Sequence, residues 1–235
     1  MYYRSIVPAI ALMLATTVQG LWVPPDDKVP TERLIENLQA QLAATPDDPH
    51  LLARLGRIYS LRYSLGERDV DVRKDRSSGN LSLYEKGNGY PSNRHHLEGE
   101  AIIERISDLH KALAYYEAAA NAKSSDEKEA YIWLGLGYVR DEMSHAAAFL
   151  AAPLATTEDD ELRVLFRTAW EDRALEAYQE AIGTKQAIDG DFLTPPVELE
   201  AARYVKIILD ARKKNSRPHR DLLKTADKII KSTVG

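Results

Sequence analysis

Two short phrases each occur twice in this chain, in alternating order. Leu52-x-x-Leu55-Gly56-x-x-Tyr59 returns as Tyr131-x-x-Leu134-Gly135-x-x-Tyr138. Ala112-Leu113-x-x-Tyr116-x-x-Ala119 returns as Ala174-Leu175-x-x-Tyr178-x-x-Ala181. Each phrase has helical spacing, with large apolar residues three and four positions apart. A glycine inside a helix costs about 1 kcal/mol relative to alanine. A glycine that recurs at one spacing therefore predicts that a second helix presses on that point. The alanines of the other phrase are the expected small surface, with Leu and Tyr filling the space around it.

The rest of the chain is also helical in pattern. Leu34, Ile35, Leu38 and Leu42 lie on one face of a helix that Thr31 can cap. Thr45-Pro46-Asp47-Asp48-Pro49 ends it and starts the next, making a helical hairpin. The stretches 101–109 and 162–170 read as upstream extensions of the two helices that carry the second phrase. Val197, Ala201, Tyr204, Val205, Ile208 and Leu209 define another helix, and Leu222, Leu223, Ala226, Ile229 and Ile230 a last one opened by Ser216-Arg217-Pro218. The fold class is all-α, with about seven helices in one domain from residue 31 to 235.

The paired phrases resemble the tetratricopeptide repeat. Its first helix carries a large residue, Leu-Gly and Tyr, and its second carries Ala, an aromatic residue and Ala; a Pro often closes the unit, and Pro46 has that place ahead of Leu55-Gly56. The resemblance implies stacked antiparallel hairpins, an α-solenoid with a concave face lined by the first helices. It departs from a repeat of about 34 residues, because long stretches separate the two phrases of each pair. Insertions are expected at about residues 66–97 and 143–160. In the first, Val70-Asp71-Val72 and Leu81-Ser82-Leu83-Tyr84 alternate as a small β-hairpin would, with a plain loop as the other reading.

The first twenty residues have the layout of a secretory signal peptide: Arg4, an apolar run through Leu14, then Val18-Gln19-Gly20. Residues 21–30 are a polar, proline-bearing spacer. An exported protein, periplasmic or secreted, is expected; an uncleaved membrane anchor is the alternative, since no charge occurs between Ser5 and Pro25. The chain has no cysteine, which excludes disulfides and thiol chemistry. Asn80-Leu81-Ser82 is a glycosylation sequon in a eukaryotic setting.

Catalytic signatures are missing. There is no glycine-rich phosphate loop, no His-Glu-x-x-His pair and no Gly-x-Ser-x-Gly elbow. The histidines His95, His96, His110 and His145 lack helical ligand spacing, so no metal is expected. Acidic pairs such as Asp47-Asp48 and Glu171-Asp172 read as helix-end charges. No cofactor and no catalytic residue is assigned. Trp133 and Trp170 read as core.

The expected function is a non-catalytic protein-interaction module or scaffold. The resemblance implies a peptide or partner helix on the concave face, held by His50, Arg54, Arg57 and Leu61 of one first helix and Ile132, Leu136 and Arg140 of the other. The alternative is a small-ligand protein or enzyme, its pocket closed by the 66–97 insertion with Tyr84, Tyr90, His95 and His96. Charge adds a second candidate surface. From Arg203 onward there are ten Lys and Arg against three Asp, in a chain whose net charge is -5. Arg212, Lys213, Lys214, Arg217 and Arg220 could meet an anionic partner, such as lipid head groups or an acidic protein, or be held by the acidic body. The mildly acidic total argues against nucleic acid.

Overall fold

A computed structural model describes residues 28–66, 69–71, 97–122, 130–151, 159–184, 197–212 and 215–234. Among these, seven helices and two short strands occur in the order β1 (Lys28–Pro30), α1 (Thr31–Ala44), α2 (Pro49–Leu65), β2 (Asp69–Asp71), α3 (Glu100–Asn121), α4 (Ala130–Leu150), α5 (Asp159–Gly183), α6 (Val197–Ala211) and α7 (Arg217–Val234). The all-α class holds. Each helix packs against the next in sequence, and α2, α4 and α6 also touch along an inner row.

Local chemistry sets the helix ends. Asp48 caps α2, its Oδ1 accepting from the His50 and Leu51 amides at 2.8 and 3.1 Å, with Pro49 in the first turn. Gly66 ends the same helix in the left-handed conformation, φ 66°, where a side chain would be strained. Thr31 does not cap α1. It is the first helical residue, and its hydroxyl donates to Glu32 instead, because Pro30 holds the cap position.

Neighbouring helices run antiparallel. The end of α2 meets the start of α3, where Arg62 pairs with Asp108 at 3.1 Å, while Gly56 meets Tyr116 further along. In α4 and α5, Arg140 Nη1 donates to the Arg173 carbonyl and Arg163 Nε donates to the Ala148 carbonyl. In α6 and α7, Arg212 lies beside His219, and Lys206 pairs with Asp227 at 3.0 Å. By contrast α2 and α4 run parallel, with His50 against Tyr131 near their starts and Ser64 bonded to Tyr138 further on.

The glycines are pressed, but by tyrosine rather than alanine. Tyr116 of α3 is wedged between Gly56 of α2 and Gly135 of α4, so that its ring atoms fill the place of a Cβ on either glycine. Tyr178 of α5 sits in the same way over Gly137, and its ring stacks on Tyr204 of α6 at 5.3 Å. The alanines of the second phrase (Ala112, Ala119, Ala174 and Ala181) are buried beside these rings. Their small size lets the helices approach closely enough for the tyrosines to reach across.

One boundary differs from the sequence expectation, and one strand has a partner that the sequence did not suggest. Residues 143–150 do not belong to an insertion; they continue α4, whose Met143, Ser144 and Ala146 are buried and so reward further helical turns. In the first insertion, Asp69–Asp71 pairs antiparallel with Lys28–Pro30, Val29 opposite Val70. The expected hairpin partner 81–84 lies outside the described residues, as do the sequon, Tyr84, Tyr90, His95, His96 and the N-terminal segment 1–27. No helix among the described residues is long and apolar enough to cross a membrane.

Candidate partner-binding site

The inner row of α2, α4 and α6 carries polar groups that are unusual for their depth. Arg57, Ser60, Asp141, Glu142 and Glu200 are all buried. Buried charges occur where they are paired or functional, since desolvation is otherwise prohibitive. The positive charge of Arg57, on α2, pulls down the pKa of both Tyr138 of α4 and Glu200 of α6, against the larger effect of burial. Burial pushes the Tyr138 phenol well above its usual range, with the nearby Glu142 charge adding to it. Tyr63 is raised for the same two reasons.

Glu200 is a strongly perturbed acid. Burial raises its carboxyl from 4.5 to about 7, against the opposing pull of Arg57 and Arg203. Its Oε2 is sealed from solvent and accepts no hydrogen bond among the described residues. This carboxyl therefore keeps its proton to a higher pH than an exposed glutamate does.

Glu200 also belongs to the wall of an open groove. A cavity of about 360 Å³ lies along α6 and α7, with Tyr204, Ile207 and Ile230 as apolar floor and Arg203, Lys206 and Asp210 on its rim. Ile207 is 48% exposed. The groove sits at the end of the inner row: α2 and α6 both pack on α4, and α6 is the last of the three. Lys206 is tied down, bridging Asp210 at 3.1 Å and Asp227 at 3.0 Å.

The residues expected to hold a partner are placed differently. Leu61, Ile132 and Leu136 are each 1% exposed, part of the hydrophobic core, and cannot touch a partner while the helices stay packed. The resemblance implies an open face for them, but the face of α2 and α4 they occupy is covered. Arg57 is buried too. His50 is bound to the Tyr131 hydroxyl at 2.9 Å, and Arg140 holds Glu117 at 3.3 Å and the Arg173 carbonyl. Arg54 is half-buried. Of the basic candidates, Arg212 is occupied: its Nε meets Glu171 at 3.0 Å and its Nη1 meets Asp172 at 2.7 Å. The acidic body thus holds the start of the basic arm. Arg217 and Arg220 are exposed, Arg220 donating to the Asn215 carbonyl, and Lys213 and Lys214 lie outside the described residues. Trp133 and Trp170 pack against the core, with Arg173 lying over the Trp170 ring at 4.9 Å.

In the sequence the groove residues are masked by the stronger apolar stripe of α6. The available signal was Ile207, an apolar residue outside that stripe, within Glu200-x-x-Arg203-x-x-x-Ile207-x-x-Asp210. That spacing of three, four and three is a seam along one side of a helix. Among the described residues no group of three acids or histidines gathers as metal ligands would. Comparison with protein-family models, with characterised proteins and with solved structures finds no match.

Proposed function

We propose that this chain is a non-catalytic protein-interaction module, exported by its N-terminal segment, built as a tetratricopeptide-like stack of the hairpins α2–α3, α4–α5 and α6–α7, and that it receives a partner helix in the groove along α6 and α7. The observation that carries this reading is the groove itself. It pairs a half-exposed Ile207 and the Ile230 side chain with a rim of both charge signs, the make-up of a surface that buries an amphipathic helix. Catalysis is the weaker reading, because the sequence carries no catalytic spacing to support it.

Affinity capture from the native envelope fraction tests this, comparing wild type with Ile207→Arg and, as a control away from the groove, Ile103→Arg. Retention of a defined protein that Ile207→Arg abolishes and Ile103→Arg leaves intact supports the reading. Retention indifferent to Ile207→Arg rejects the groove as the binding surface.

A further inference from the structure

We infer that the helix received in this groove is α6 of a second copy of the chain, making a twofold dimer; the inference rests on the groove being a partner-binding surface, as proposed above. The argument is charge order along α6. Arg203 and Asp210 flank the half-exposed Ile207 on the groove side, four residues before it and three after. A twofold axis near Ile207 sets two such helices antiparallel, and each contact then occurs twice. Arg203 faces the partner's Asp210, Asp210 faces the partner's Arg203, and the two Ile207 side chains meet between them over the Tyr204 and Ile230 floor. Reversing the helix direction would put Arg203 against Arg203 and Asp210 against Asp210, so the charge order selects the antiparallel pairing.

Place in the fold agrees with this. Within the row α4 lies between α2 and α6, and at the other end α1 packs on α2. Leu65 and Leu150 are also exposed but are the last residues of α2 and α4, whereas Ile207 is exposed inside α6. An α6 from a second copy would continue the row across the dimer axis. Both rim charges lie at the surface, Arg203 exposed and the Asp210 side chain 52% exposed, so they can re-pair without breaking the core.

Sedimentation equilibrium of the purified full chain tests the inference with a charge swap. Wild type is expected to be a concentration-dependent dimer. Arg203→Asp and Asp210→Arg singly should each weaken association at least tenfold, because each places like charges opposite one another twice. The double variant should restore dimerisation, and circular dichroism should show all three as helical as wild type; in Asp210→Arg, Lys206 keeps Asp227 as its partner. A monomeric wild type, or a dimer indifferent to both single reversals, overturns the inference. So does a double variant as weak as the singles. If the wild type is monomeric while Ile207→Arg still abolishes capture of another protein, self-docking falls and the interaction module stands. If Ile207→Arg changes neither, both fall.

Discussion

The ring of Tyr116 occupies the place a side chain on Gly135 would need. A Cβ at that position would lie 2.6 Å from the Tyr116 hydroxyl oxygen and closer still to two ring carbons. The same ring bears on Gly56 from the other side, at 2.7 Å from where its Cβ would be. One tyrosine thus fixes the spacing of three helices, α2, α3 and α4.

Replacing Gly135 with alanine is therefore expected to destabilise, although alanine is the better helix former. Helix propensity would return about 1 kcal/mol, while overpacking against a buried ring costs about 1–3 kcal/mol. Urea denaturation of Gly135→Ala should show a net loss of up to about 2 kcal/mol. Gly183→Ala is the control, since nothing lies within 4 Å of its Cβ position; its stability should equal or exceed wild type. Equal midpoints for Gly135→Ala and Gly183→Ala would refute the wedge.

Tyr178 and Tyr204 join the second hairpin to the third through stacked rings, 5.3 Å apart and inclined by 10°. A double-mutant cycle with Tyr178→Leu and Tyr204→Leu should return a coupling of about 0.5–1.5 kcal/mol. Additive losses would mean that the rings contribute only as buried area.

Glu200 gives the protein a pH dependence of defined sign. Its carboxyl holds a proton up to about 7 in the folded state, against 4.5 as the ordinary value. Below 4.5 both states are protonated and the group contributes no penalty. As the pH rises through this window the unfolded state loses its proton first, so folding is progressively disfavoured until about 7. The stability difference between Glu200→Gln and wild type should grow in favour of the variant across that range, at up to about 1.4 kcal/mol per unit. Parallel stability curves for the two proteins would show that the carboxyl is not perturbed.

Arg212 should behave as a structural residue rather than a free cation. It joins Glu171, which is itself buried and further held by Arg167 at 2.8 Å, and the half-exposed Asp172. Arg212→Met leaves the Glu171 charge short of a partner and should cost about 2–3 kcal/mol, below the full cost of breaking a buried pair because Asp172 keeps its water. Arg217→Met, at an exposed position, should stay within about 0.5 kcal/mol of wild type. Thermal or urea unfolding separates the two, and equal effects would reject the distinction.

The helices are legible in the sequence. Their apolar spacing, the Asp48-Pro49 start, the Gly66 stop and the doubled Gly and Tyr phrases are local patterns, and local patterns set secondary structure and its class. The last turns of α4 are not legible there, because residues 143–150 are mostly small or polar and carry little amphipathic signal of their own; burial of Met143 and Ala146 decides them. Which faces are covered is not local information. Leu61, Ile132 and Leu136 looked available because a single helix has two sides, and only the packing of α2, α4 and α6 into one row buries them. The tertiary structure likewise engaged Arg212 with acids some forty positions earlier in the chain and left Ile207 open at the end of the row. Secondary structure follows from neighbours a few residues apart, whereas exposure depends on which distant helix arrives, and that is decided only when the whole stack closes.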